Sequence, residues 1–263
     1  MKNKIAFITL GLMTLSLAGC GPSMPVYADA DKYLAGNQTY QENITSLDID
    51  WISGSVTLVE DPTIEGVKIE EVTDFTEPEE LVHSYMNDGD LKIKYFASGH
   101  MASWKARPYK KELTVTYKPG LTKIAIDLTS GLLNADTMTA SDVDIDLTSG
   151  SAKVGAIVAE TVDADLTSGT VDITSLTAKS FDSDMTSGTV NIGFTSIETA
   201  SFDLTSGKIN MTLPLLGGKV TVSKTSGTVK TERECKISNN TYTFGSGEAD
   251  IKVSMTSGTV TIK

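Results

Sequence analysis

Cysteine is nearly absent from this chain: Cys20 and Cys235 are the only two. No CxxC pair and no Cys/His ligand spacing occurs, so a structural zinc site, a dithiol redox centre and a disulfide framework are all unsupported. Cys235 reads as a small apolar residue destined for the interior. Histidine is equally scarce, with His83 and His100 alone, and both read as surface loop residues rather than catalytic bases. No G-x-S-x-G elbow and no phosphate-binding glycine loop is present, so nucleophilic hydrolysis and nucleotide chemistry have no foothold. Basic charge is the third shortage. Against 34 Asp and Glu stand 22 Lys and Arg, giving a net charge of −12. A nucleic-acid binder needs clustered cations to neutralise phosphates. The one basic cluster, Lys105, Arg107, Lys110 and Lys111, reads as a solvated loop, and nucleic acid is not an expected partner.

Long apolar runs are also missing, apart from residues 5–17, which are too few to span a bilayer as a mature helix. That run follows Lys2 and Lys4 and ends in Leu17-Ala18-Gly19-Cys20. Positive start, apolar middle and small residues before a cysteine, in that order, resemble a bacterial lipoprotein signal. The reading is a signal peptide over 1–19 and acylation of Cys20. Two or three acyl chains at one site would anchor the chain stably to a membrane, which a single chain does not. Residues 20–42 lack sustained periodicity and read as a lipidated flexible tether; about 22 residues of coil average roughly 25 Å end to end.

The remaining 43–263 is rich in β pattern. Alternating apolar and polar residues mark strands at 46–60, 66–72, 90–96 and 112–120. Asn87-Asp88-Gly89-Asp90 signals a turn, 75–86 has room for a short helical turn, and 97–111 reads as a long loop. From 121 onward the chain repeats. Asp-Leu-Thr-Ser-Gly stands at 127–131, 146–150, 165–169 and 203–207, with Asp-Met-Thr-Ser-Gly at 184–188, so Gly131, Gly150, Gly169, Gly188 and Gly207 are 19 residues apart. Two residues past each glycine stand Leu133, Ala152, Val171, Val190 and Ile209. The beat reappears at Ser226-Gly227-Thr228-Val229 and Ser257-Gly258-Thr259-Val260, and is anticipated at Ser53-Gly54-Ser55-Val56.

A short fixed period in which every column keeps its chemistry marks a solenoid. The apolar beat falls on every second residue with β-branched residues favoured, so the rungs are strands, stacked about 4.8 Å apart. The fold class is therefore all-β: a single-stranded parallel β-solenoid with 19-residue rungs. Irregular N-terminal rungs occupy 43–120 and regular rungs 121–263. Thr-Ser-Gly is read as the corner of each rung, its glycine supplying positive φ and its hydroxyls bonding nearby backbone.

These residues also carry a resemblance. "DIDWISGSVTLVE", "DGDLKIKY", "ELTVTYKPG", the serial "TSG-x-V-x-I" corners and the closing "TFGSGEADIKVSMTSGTVTIK" resemble the bacterial domain-of-unknown-function family that carries the label adhesin. One departure is Tyr117-Lys118-Pro119-Gly120, where the family more often shows Leu-Pro after a strand. The resemblance covers 43–263 and implies a β-helical extracytoplasmic domain. It supplies no catalytic residues.

The candidate site is a ladder of acids. Asp127, Asp146, Asp165, Asp184 and Asp203 form one column; Asp144, Asp163 and Asp182 form another, two residues earlier. Alternation points both outward, because Leu147 and its equivalents point inward. Carboxylates about 5 Å apart repel by roughly 1 kcal/mol per neighbour in water. Three reliefs are open: fanning into solvent with bonds to Thr and Ser, weak Ca²⁺ binding by monodentate carboxylates, or a cationic surface or peptide. Thr129, Thr148, Thr167, Thr186 and Thr205 form a further outward column, but adjacent Asp disfavours an ice-binding role. Uniform rungs leave no loops to build a substrate groove of the pectate-lyase kind, so no enzyme is expected. Two functions remain. One is a lipid-anchored surface-binding module presenting the Asp/Thr face to envelope polymers or another cell surface. The other is a regulatory or structural envelope lipoprotein contacting a membrane-protein partner, which needs an exposed apolar patch within 43–120.

Overall fold

Register decides the architecture. In the computed structural model, which describes residues 26–100 and 109–263, equivalent residues of successive repeats pair in parallel. Leu133 faces Ala152, which faces Val171, which faces Val190, which faces Ile209. Around the corner, Leu128 faces Leu147, Leu147 faces Leu166, Leu166 faces Met185 and Met185 faces Leu204. All of these side chains are buried, and they form one continuous core. The protein is a parallel β-solenoid, as the period predicts.

Interior columns conserve volume rung by rung, as close packing demands. Phe181 shares its rung with the small Ser183, and the next rung reverses the order with Ala200 and Phe202. The two phenyl rings meet at 5.2 Å. Ser183 is fully buried, and its Oγ donates to the Ala164 carbonyl at 2.6 Å, so the polar atom is satisfied.

The corners hold a different device from the one expected. None of the five spaced glycines has positive φ, whereas Gly54, Gly227 and Gly258 do. Glycine is needed at the five for space: a Cβ on Gly150 would lie 2.6 Å from the Gly131 oxygen, and one on Gly169 as close to that of Gly150. Backbone bonds then continue through the turn, from the Thr148 N–H to the Leu128 oxygen at 3.0 Å and from the Ser149 N–H to the Thr129 oxygen at 2.8 Å.

At both ends, spatial order departs from chain order. The first rung, Ser46–Trp51 and Ser55–Glu60, lies between Leu121–Leu128 with Leu132–Leu147 on one side and Asp90–Lys94 with Lys111–Tyr117 on the other. At the far end Ala249–Met255 and Thr259–Ile262 insert between Thr199–Thr212 and the outer pair Gly217–Lys224 and Thr228–Thr231. The regular rungs are thus sequential only up to Thr212. Antiparallel strands finish each end: Val67–Thr73 and His83–Asn87 at one, Thr241–Gly245 and Lys236–Ser238 at the other. They cover backbone edges that would otherwise template association.

Several expectations are corrected. The tether cannot extend to residue 42, since Leu34–Ala35 pairs with Ser84 and His83, and Gln38–Tyr40 pairs with Val67–Thr73. Tyr40 and Tyr33 carry the segment into the fold, through a 2.9 Å bond between the Tyr40 and Ser84 hydroxyls and ring packing on Tyr85. His83 is buried in a strand. Cys235 is only half-buried, against the core's edge. Lys111 is not a solvated loop residue but fully buried. Pro78–Glu80 forms the short helical turn expected within 75–86. The signal peptide, Cys20, and residues 101–108 of the expected loop lie outside the described residues.

Candidate functional site

Alternation along each rung turns Leu147, Leu166, Met185 and Leu204 inward, so the Asp before and the Thr after each must face outward. Stacking aligns them. The first column begins one rung earlier than the repeat suggests, at Asp50, which faces Asp127. It continues through Asp146 and Asp165, whose carboxylate accepts the Asp184 N–H at 2.9 Å, to Asp203, and ends at Ser254 and Ser223. The second column contains Asp144, Asp163 and Asp182, is interrupted by Ala125 before reaching Asp48, and passes to Ser201 and Lys252 at the other end. Asp50 was legible: "DIDWISG" at 48–54 echoes "DIDLTSG" at 144–150.

The first column from Asp127 onward and Thr148, Thr167, Thr186 and Thr205 line a shallow groove of about 780 Å³. The structure therefore brings the predicted Asp and Thr columns together, with Thr129 outside the groove lining. Cations stand at both ends, with Lys252 and Lys224 at one and Lys94 and Lys123 at the other. Lys94 is paired with Asp50 and lies 3.8 Å from Asp48, and Lys123 lies 3.3 Å from Asp144. Among the described residues, no ion pair reaches Asp163, Asp165, Asp182 or Asp184.

Several carboxyls of the columns hold their protons more tightly than a free aspartate does, through burial first and neighbouring charge second. Partial burial, followed by the charges of Asp144, Asp165 and Asp127, raises the Asp146 pKa to about 6. Burial, followed by Asp165, Asp144, Asp182 and Asp146, raises Asp163 to about 7. Asp127, Asp165 and Asp182 shift upward for the same first reason. Near neutrality Asp163 is thus divided between donor and acceptor forms, while Asp146 is mostly an acceptor. Among the described residues no group of three or more Asp, Glu, His or Cys side chains is placed to hold a metal ion. The expected weak Ca²⁺ binding has no prearranged cage here.

A second polar ladder escaped the sequence reading. Three residues past each glycine, the Asn210 amide donates to Asn191 at 2.5 Å and the Asn191 amide donates to Asp172. The column was visible as Asn134, Lys153, Asp172, Asn191 and Asn210, but mixed chemistry concealed it. His83 Nδ1 lies 3.0 Å from the Leu81 carbonyl, and burial lowers its pKa. His100 Nε2 lies 3.8 Å from a Glu80 carboxylate oxygen.

The family model described as Toastrack DUF4097 matches residues 67–263. No curated protein matches the chain. Among solved structures, one from Parabacteroides distasonis named a "putative lipid binding protein" has 12% identity and a TM-score of 0.50, covering 87% of this chain and 97% of its own. A "putative adhesin" from Bacteroides fragilis has 11% identity and a TM-score of 0.49, covering 86% and 96%. A "putative cell adhesion protein" from Clostridium sporogenes has 14% identity and a TM-score of 0.43, covering 88% and 99%. No helix among the described residues is long and apolar enough to cross a membrane.

Proposed function

The chain belongs to the Toastrack DUF4097 family, and from that frame we propose that it is a non-enzymatic, extracytoplasmic lipoprotein that binds a hydroxyl-rich envelope polymer or cell surface through its Asp/Thr face. One observation carries the reading: the unbroken column from Asp127 to Asp203, with threonines beside it, along a groove held on stacked rungs. A polymer with repeating hydroxyls would find donors and acceptors at regular strand spacing of about 4.8 Å. Partial protonation of Asp163, whose pKa is raised to about 7, reduces the charge that a neutral polymer must tolerate. The adhesion names of the similar structures belong to those proteins, and the reading rests on the groove.

The alternative, a docking lipoprotein for a membrane-protein partner, called for an apolar patch within 43–120. Among the described residues there, Ile52, Val59, Val72 and Tyr109 are exposed; Val59 stands opposite Thr116 and Val72 opposite Glu112, four residues apart along the shared strand.

Sedimentation of the protein with isolated envelope polymer tests it. Changing Asp146, Asp165 and Asp184 together to Asn should abolish most co-sedimentation while leaving the fold intact. Equal binding by that variant would refute the reading. Cys20→Ala should separately release the chain from membranes without altering polymer binding.

A further inference from the structure

The N-terminal cap contains a charged cluster that the Asp/Thr face does not use. Lys111 opens the strand Lys111–Tyr117, and Glu71 lies on the antiparallel neighbour Val67–Thr73, where Thr73 opposes Lys111. Both side chains are sealed from solvent, at 0% and 2% exposure, with Lys111 Nζ directly against Glu71 Oε1. Four aromatic rings surround the nitrogen: Tyr95 at 4.7 Å, Phe96 at 4.8 Å, Trp51 at 5.3 Å and Phe75 at 5.6 Å. The other Glu71 oxygen accepts the Val82 N–H at 2.9 Å, and Nζ donates to the Glu80 carbonyl at 2.8 Å. Amine and carboxyl are thereby both clamped. A second carboxyl, that of Glu80, is 5% exposed and near enough for its charge to act on Lys111.

We propose that Lys111 and Glu71 condense to a side-chain amide, a covalent bridge between these two neighbouring strands. A proton moves along the existing contact from Nζ to Glu71, leaving a neutral amine and a neutral acid. Burial, the largest influence on Lys111, lowers its pKa and so favours the neutral amine, while the Glu71 charge and the four ring faces favour the ammonium. The nitrogen lone pair then attacks Glu71 Cδ. Its surplus proton passes to the Glu80 carboxylate, which returns it to the departing hydroxyl. One C–N bond forms, one C–O bond breaks and one water leaves, with no change in oxidation state. The Glu80 carboxyl, 3.8 Å from His100 Nε2, is the group assigned the proton relay.

Tryptic mapping of the denatured full-length protein tests the bridge. The expected product is a branched peptide joining the Glu71 segment to the Lys111 segment, lighter than their sum by one water and uncleaved after Lys111. Separate peptides of full mass, or a water loss located elsewhere, would overturn the proposal. Glu80→Gln leaves both reacting groups in place and should reduce the bridged fraction from most molecules to few. Undiminished bridging in that variant would overturn the relay assigned to Glu80. The wild-type map decides the bridge itself, whether or not the variant folds.

Discussion

Leu166 occupies the interior between Leu147 and Met185 and is 2% exposed. Its truncation to Ala should cost about 2–4 kcal/mol through lost transfer energy and an unfilled cavity, read as a drop in the urea midpoint. Asp163, three residues earlier and outward, should behave in the opposite way. Its pKa, raised to about 7 by burial and then by neighbouring aspartates, means that the folded chain keeps a proton which the unfolded chain releases near 3.8. Stability from this group is therefore present in acid and lost as pH rises through the folded pKa. Asp163→Asn should stabilise by up to about 1 kcal/mol above neutrality, a figure reduced for the solvent contact of the carboxyl. The gain should fade as the pH approaches about 4. Destabilisation above neutrality would show that the carboxylate is structural. Both residue assignments were legible, because strand alternation fixes facing without knowledge of the fold. The reason for the corner glycines was not: the carbonyl of the rung below enters the argument only when rungs are stacked.

Among elements, the central rungs are paired on both sides by strands of matching register, while the terminal hairpins are not. Lys236–Ser238 pairs with Thr241–Gly245 alone and is exposed throughout. In a solenoid, stability is a sum of nearest-neighbour terms, so opening should start where a neighbour is missing. Amide hydrogen exchange should be slowest at Val162–Leu166 and Phe181–Met185 and fastest at Lys236–Ser238. Uniform exchange along the chain would contradict this. The period predicted pairing correctly up to Thr212, yet the insertion of Ala249–Ile262 was illegible. Ser226-Gly227-Thr228-Val229 and Ser257-Gly258-Thr259-Val260 are equally good neighbours for Gly207. The choice rests on the hairpin ending at Gly245 and on closure of the last rung, both non-local. The strand at Gln38–Tyr40 was missed for a related reason: three residues are too few to show a period, and Val67–Thr73 supplies their pairing.

At the scale of the molecule, copying one rung copies its surface, and the surface here is acidic. Stacking that makes the core continuous also brings carboxyls into columns, so the same register that buries Leu147, Leu166 and Met185 forces Asp146, Asp163 and Asp165 together. Lysines answer this at the ends, through Lys94 and Lys123 at one and Lys252 and Lys224 at the other, and a raised affinity for protons answers it at Asp146 and Asp163. Carbon-detected NMR titration of the aspartate carboxyls measures that claim directly. The account predicts midpoints of about 6 for Asp146 and about 7 for Asp163, with both falling when Asp144, Asp165 and Asp182 are changed to Asn. Midpoints near the ordinary 3.8 for both residues would contradict it, and would return the columns to fully charged carboxylates facing water.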